Sequence, residues 1–239
     1  MYSFQAIVRR NINNITQQFE RLGYVGNNLT NYNTHGYKSV NFEQMLSEDG
    51  YLQGAIRSDY AQGSIMVTSN PYDVAINGTG FIPVVSEDGE VAYTRDGAFK
   101  QGKDGYLMTD DNWLVGDGIK IPANCFKFEI KPNGEVFAYD NNESVSGKKI
   151  GTVPLVRFAS QENLKFIGMN KFQPTEESGE AILVKNHDCI AQNNLESSNT
   201  NMYSGVSDML RMNASLIAGM RIMKVVDDMY NKSINMREG

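Results

Sequence analysis

The side chains best suited to chemistry are few in this sequence. It has two histidines, His35 and His187, and two cysteines, Cys125 and Cys189. His187-Asp188-Cys189 puts an imidazole, a carboxylate and a thiol side by side in a strand-like or edge segment. A Cys nucleophile next in sequence to its base is not the usual arrangement, because catalytic groups converge from separate segments. The cysteines lack CxxC or Cys/His metal spacing and read as two small packed side chains. One disulfide stays open if the protein works outside the cytoplasm. Asp110-Asp111-Asn112 lacks the Gly and distal Glu of a calcium loop. Asn77-Gly78-Thr79-Gly80 is too short for a phosphate loop and has no Lys. Asn-x-Ser/Thr triplets at Asn14, Asn28, Asn77, Asn142, Asn213 and Asn231 are expected by chance in this composition, and some fall on helix seams where a glycan does not fit. The expectation is therefore no catalytic residue, no metal, no cofactor and no enzyme activity.

Bulk composition narrows the alternatives. A chain of 239 residues with 41% hydrophobic and 21% charged residues can bury a real core. A net charge of -6, with no basic run longer than the pairs Arg9-Arg10 and Lys148-Lys149, argues against a phosphate-tracking nucleic-acid surface. Residues 1–10 lack the apolar core and cleavage site of a signal peptide, and nothing approaches the roughly 18 apolar residues of a membrane span. The expectations are no nucleic acid, no membrane insertion and, if the protein leaves the cytoplasm, another export route.

The elements must then explain the chain. Near the N-terminus, Val8, Ile12, Ile15, Phe19, Leu22 and Leu29 recur at steps of three and four, a helical stripe of coiled-coil type interrupted at Gly26. Opposite it lie Asn11, Asn13, Asn14, Thr16, Gln17 and Gln18. A face meeting only water usually carries Lys and Glu, so an uncharged amide face suits packing against further helices. Near the C-terminus the same spacing gives Val206, Met209, Asn213, Leu216, Met220, Met223, Asp227, Tyr230 and Ile234, and methionine recurs at Met202, Met209, Met212, Met220, Met223, Met229 and Met236. Methionine packs adaptably, fitting either several non-identical neighbours or gaps in a single core. Between the ends, short β-prone runs alternate with Asn77-Gly78, Asp88-Gly89, Asp96-Gly97, Asp104-Gly105, Asp117-Gly118 and Asn133-Gly134. Such pairs favour tight hairpins, and 126–139 reads as one with alternating faces.

The fold class expected is α+β: long N- and C-terminal helices forming a coiled-coil-like core, with a central antiparallel β-domain. The divisions read as 1–36 for the first helix, 37–72 for an extended connector, 73–190 for the β-domain and 195–239 for the last helix. Helices at opposite ends pair only by closing nearly the whole chain, and a lone helix pair is marginal in water. This points to assembly with neighbouring subunits.

Four segments carry a family resemblance. Asn27-Asn28-Leu29-Thr30-Asn31-Tyr32-Asn33-Thr34-His35-Gly36-Tyr37-Lys38 resembles the signature that ends the first helix of bacterial flagellar rod and hook proteins. Gln62-Gly63 followed by Asn70 to Phe81, including Asp73, Ala75, Gly78, Gly80 and Phe81, is similar to a second family motif. Tyr93-Thr94-Arg95-Asp96-Gly97-Ala98-Phe99, continuing to Asp104-Gly105-Tyr106-Leu107, resembles a third, and Leu195-Glu196-Ser197-Ser198-Asn199 a fourth. They occur in family order along almost the full chain. Departures are Thr30 for the usual Ala, Tyr37 for Phe, Ile82 for a second Phe, and Asn213-Ala214-Ser215-Leu216 where Gln-Arg-Ala-Tyr is common.

The resemblance implies a basal-body rod subunit whose terminal helices line a hollow tube with the β-domain outside. The short stretch from Lys38 to Asp73 leans towards a proximal-rod type. Partners implied are further copies, other rod and hook proteins, and the type III export apparatus, with a periplasmic location reached without a cleaved signal peptide. The assembly interface would comprise Val8, Ile12, Ile15, Phe19, Leu22, Asn28, Leu29, Asn31, Asn33, Thr34, Gly36, Met209, Leu216, Met220, Met223 and Tyr230. Two rivals predict other things. A carbohydrate- or wall-binding module would use exposed Trp113, Tyr106 and Tyr139, with the helices as a dimer handle. An enzyme with dispersed residues would need a deep pocket of perturbed ionisable groups.

Overall fold

A computed structural model describes residues 4–140, 147–185 and 187–235, so Met1, Asn142, Met236 and the side chain of Ile234 lie outside the described residues. The described fold is α+β, with a central antiparallel β region between an N-terminal and a C-terminal helix. The chain divides into two compact units. One gathers residues 1–31, 39–59 and 200–239; the other holds 32–38 and 60–199.

The first unit contains α1 (Phe4–Thr30), a hairpin of β1 (Val40–Leu46) and β2 (Leu52–Ser58), and α2 (Met202–Asn235). Here the sequence reads an extended connector over 37–72; the chain instead folds back along α1. The amides on α1 explain why. Asn28 donates Nδ2–H to Val40 O at 2.8 Å and accepts Val40 N–H at 2.9 Å. Asn13 does the same with Leu52, at 3.1 and 2.7 Å. Fifteen helical residues span about 22 Å, close to the length of a seven-residue strand. The two carboxamides thus hold opposite ends of the hairpin, each pairing like one more peptide of a ladder. Tyr24 stacks on Phe42 between them, with ring centroids 5.5 Å apart.

On another face α1 meets α2. Asn11 Nδ2 lies 3.3 Å from Gly219 O, and Gly205 faces Leu29, so the helices run antiparallel. Gly219 is at the close approach: a Cβ there would sit 3.1 Å from Ile15. The stripe α2 buries is Gly205, Met209, Met212, Leu216, Gly219, Met223 and Val226, which shares only Met209, Leu216 and Met223 with the stripe read from sequence. Glycine supplies close contact without apolar bulk, so a count of apolar side chains shifts the seam to an adjacent ridge. Asn201 begins α2 by accepting N–H groups of Tyr203 and Ser204, an N-cap.

The second unit is built from short strands. β3 (Ile65–Val67) and β4 (Val74–Ile76) lead to β5 (Ile82–Val85), β6 (Val91–Thr94), β7 (Lys100–Gln101), β8 (Leu107–Met108) and β9 (Leu114–Val115). β10 (Lys127–Ile130), β11 (Glu135–Tyr139), β12 (Lys148–Thr152) and β13 (Val156–Arg157) follow. β14 (Lys165–Gly168), β15 (Lys171–Gln173), β16 (Ile182–Leu183), β17 (Ile190–Gln192) and β18 (Asn194–Glu196) complete it. The largest sheet runs β14-β15-β6-β5-β9-β8-β7, and β10-β11-β12 forms a second. The hairpin expected at 126–139 is β10–β11, with Phe128 opposite Ala138. Returning strands close the unit: β17 pairs with β4 and β18 with β3. The core includes Val74, Ile76, Ile82, Leu107, Val115, Val136 and Leu155, with Phe81, Phe158 and Phe172 in a neighbouring aromatic cluster.

Candidate functional site

Three charged side chains lie buried at one point of the β unit. Glu196, at the end of β18, is 1% exposed. Its Oε1 accepts Lys38 Nζ–H at 2.6 Å and the Gly63 N–H at 2.9 Å. Its Oε2 accepts Arg95 Nε–H at 3.0 Å, with Arg95 Nη2 2.9 Å away. The cations are satisfied too: Lys38 donates to Ala61 O, and Arg95 Nη1 to Gly78 O and Gly80 O. Burial pulls the Arg95 guanidinium below its ordinary value, and the charge and hydrogen bonds of Glu196 oppose that shift. A buried carboxylate with four donors is stable only while all are present.

Each group comes from a different motif: Lys38 from the helix-ending signature, Gly63 from Gln62-Gly63, Arg95 from the Tyr93–Phe99 motif and Glu196 from the Leu195–Asn199 motif. The backbone reinforces the convergence. Gly36 N–H donates to Glu196 O at 2.8 Å, and Ser197 N–H to Ser64 O at 2.8 Å. Gln62 clasps Ile76 O and Gly78 N–H. Gly36 has φ +66° and sits so close to Arg95 that a Cβ would lie 2.5 Å from its carbonyl carbon. Gly97 has no positive φ; its constraint is contact, since a Cβ would fall 1.6 Å from Val74 O. Asp96, whose carboxyl is pushed up by burial, accepts Ala98 N–H and shapes the same turn. Ala75 and Phe81 are core residues, and Asp73 is buried with its carboxylate on Asn70. Sequence reasoning named Arg95 and Gly36 as site residues. It placed Lys38 in the assembly turn from Asn28 to Lys38 and quoted Gly63 and Glu196 without a role, because charge partners 158 residues apart leave no local pattern.

Residues 75–138 match the model of the flagellar hook protein FlgE/F/G D1 domain. A flagellar basal-body rod protein FlgF from Mesorhizobium japonicum is 30% identical over 189 residues, 76% of this chain and 76% of the relative. The chain belongs to the flagellar basal-body rod protein family. The flagellar basal-body rod protein FlgG of Buchnera aphidicola subsp. Baizongia pistaciae is 28% identical over 239 residues, covering 88% of this chain and 92% of the relative. FlgG of Agrobacterium fabrum is 28% identical over 241 residues, 89% and 92% respectively. As a rod-family protein the chain is related to structural components of the flagellum.

The helices of this rod-family chain present a second kind of site. Of the first-helix stripe, Val8, Ile15, Leu22 and Leu29 are half-buried, whereas Ile12 and Phe19 are exposed, Phe19 at 55%. On α2, Leu216 is buried, Met209 and Met223 are half-buried, and Met220 and Tyr230 are more than half exposed. Val206, Leu210, Ile217, Ile222, Val225 and Met229 add to that apolar exposure. Asn31 folds its amide onto Asn27, Thr34 closes the turn by accepting Tyr37 N–H, and Asn33 is exposed.

The groups with chemical potential are dispersed. Among the described residues no set of three or more His, Cys, Asp and Glu side chains is placed to hold a metal, and no helix is long and apolar enough to cross a membrane. Cys125 and Cys189 are free thiols. The aromatics that a glycan-binding reading would use each have a lysine over the ring: Lys171 on Trp113, Lys120 on Tyr106 and Lys127 on Tyr139.

Proposed function

We propose that this protein is a non-catalytic subunit of the flagellar basal-body rod that polymerises through its terminal helices into a hollow helical tube. The observation that carries the reading is the apolar surface left uncovered on both helices, centred on Ile12 and Phe19 of α1 and on Met220, Val225 and Tyr230 of α2. Isolated apolar residues on a surface are ordinary, but ridges of them along two paired helices mark an interaction site. Neighbouring copies would cover the ridges and extend the helix pair into a coiled-coil-like core drawn from 1–36 and 195–239, with residues 73–190 outside it. A heterologous contact that does not close gives an open helical polymer, the form a rod needs.

On this reading the tube transmits torque and conducts exported subunits. Its partners are its own copies and other rod and hook proteins, and the type III apparatus carries it to the periplasm without a cleaved signal peptide. Ile15 packs on Gly219 within its own chain, so a charge there would test the helix pair, not the polymer. The decisive substitution is Phe19→Asp with Met220→Asp. The expected result is a folded monomer that no longer enters flagella, giving non-motile cells. Normal motility in that variant would refute the role of these ridges.

A further inference from the structure

The largest sheet of the β unit has opposite charges at its two ends. Strand register fixes the geometry: Val85, Leu114, Met108 and Lys100 form one row across β5, β9, β8 and β7. The turn Ser86–Glu90 projects beyond that row. It carries Glu87, Asp88 and Glu90, all exposed, and among the described residues none is within ion-pair distance of a base. The turn is rigid: Ser86 N–H donates to Glu90 O, Gly89 N–H to Ser86 O and Glu90 N–H to Ser86 Oγ. It also stands clear, since a Cβ on Gly89 would meet nothing within 4 Å. Asp110 and Asp111 lie in the next turn at this end, where Lys171 pairs with Asp111 and Lys100 lies 3.8 Å from Asp110.

The other end is basic. Past Gln101 and Leu107 the chain turns through 102–105, and beside that turn lies an open groove of 740 Å³. Among the described residues Lys103, Lys120, Lys148 and Lys149 line it with Asp104 as the one acid, together with the apolar Ile121 and Pro122. Lys149 pairs with Glu135 and Lys120 lies over the Tyr106 ring. Among the described residues Lys103, Lys120 and Lys148 have no carboxylate partner. Four lysines converging on one groove stand out in a chain whose net charge is -6.

The geometry points to a second, outer contact between copies: the basic groove of one copy receives the acidic turn Ser86–Glu90 of the next, head to tail. This rests on the assembly reading above and names a surface for it that is separate from the helices. Turn and groove leave opposite ends of the same sheet, so one copy does not satisfy its own groove. Repetition of the contact leaves one free turn and one free groove at the ends of a row, which suits an open polymer. Complementary charge favours the correct partner and register, and exposed pairs of this kind weaken as salt rises.

The test uses the full chain with two charge reversals. One is the groove pair Lys103→Glu with Lys148→Glu; the other is the turn pair Glu87→Lys with Asp88→Lys. Sedimentation at increasing protein concentration reads the threshold for assembly in low salt. Each reversal alone should raise that threshold at least about tenfold. A chain carrying both, and an equimolar mixture of the two single-site variants, should return to within about threefold of the original, because every contact is again complementary. Reversals with no effect, or a doubly reversed chain no better than either alone while the unaltered chain assembles, would overturn the groove contact and leave the helix reading intact. Loss of binding to soluble peptidoglycan fragments on groove reversal, without rescue in the doubly reversed chain, would reassign the groove to a wall polymer. An unaltered chain that stays monomeric at every concentration would overturn both readings.

Discussion

The β unit and the helical unit solve the same problem to different degrees. In the β unit Val74, Ile82, Leu107, Val115 and Leu155 are wholly shielded from water, and Lys38, Arg95 and Glu196 are buried together with their polar atoms hydrogen-bonded. In the helical unit, among the described residues, Met212 and Leu216 are the buried apolar side chains, while long apolar residues on both helices remain exposed. Its internal order comes from amide clamps, two glycine contacts and one stacked aromatic pair. One region has enough surface of its own to fold; the other leaves apolar ridges uncovered, which the proposed assembly would cover. On the proposed reading that division suits polymerisation, because the unfinished region would supply the driving force and the finished one would keep its shape.

The largest expected effect breaks the finished side. Glu196→Ala removes the one acid between two buried cations and should cost about 3–5 kcal/mol in urea unfolding of the full chain. Gly97→Ala places a methyl group against Val74 O and should cost about 1–3 kcal/mol or abolish soluble expression, whereas Gly89→Ala meets only its positive φ. On the unfinished side, Phe19→Asp should leave monomer stability within about 0.5 kcal/mol yet prevent assembly, a dissociation that no substitution in the β core should produce. Asn13→Ala and Asn28→Ala should each cost about 1 kcal/mol and speed amide exchange in 40–58 without altering the β unit.

The smallest effect concerns pH. Burial raises the Asp111 carboxyl, but hydrogen bonds from Lys171 and Thr109 and the Lys171 charge outweigh it and bring it below its ordinary 3.8. A depressed folded value contributes stability above the unfolded one, lost as pH falls through the folded value. Lys171→Met should therefore weaken the protein near neutral pH. The difference from the parent, followed by denaturant titration, should shrink below about pH 3.8.

Much of this organisation can be read in the residues. Periodicity locates both helices. Asp88-Gly89, Asp104-Gly105 and Asn133-Gly134 close the β5–β6, β7–β8 and β10–β11 hairpins with positive φ at each glycine. Asn77-Gly78, Asp96-Gly97 and Asp117-Gly118 instead join strands that do not pair with each other, and Gly97 takes no positive φ. The hairpin at 40–58 is harder to see, since the half-buried Gln44, the exposed Met45 and Leu46 and Gly54 break its alternation and its anchors lie on a helix. The α2 seam shifts because Gly205 and Gly219 make the contact, and hydrophobicity cannot mark a glycine. The ion triad is invisible to local reading: Lys38, Arg95 and Glu196 meet only after β18 returns to β3. The motif residues nevertheless hold the answer, because all four motifs contribute to that one point.

Hydrogen exchange on the dilute monomer and on the assembled form, followed segment by segment, tests the division most directly. The account predicts fast exchange over 4–30 and 202–235 in the monomer, strong protection of the β-strands within 74–139 and 148–196 in both states, and protection of the helices on assembly. Helices already as protected in the dilute monomer as the β core would contradict it, because they would then need nothing from a neighbour.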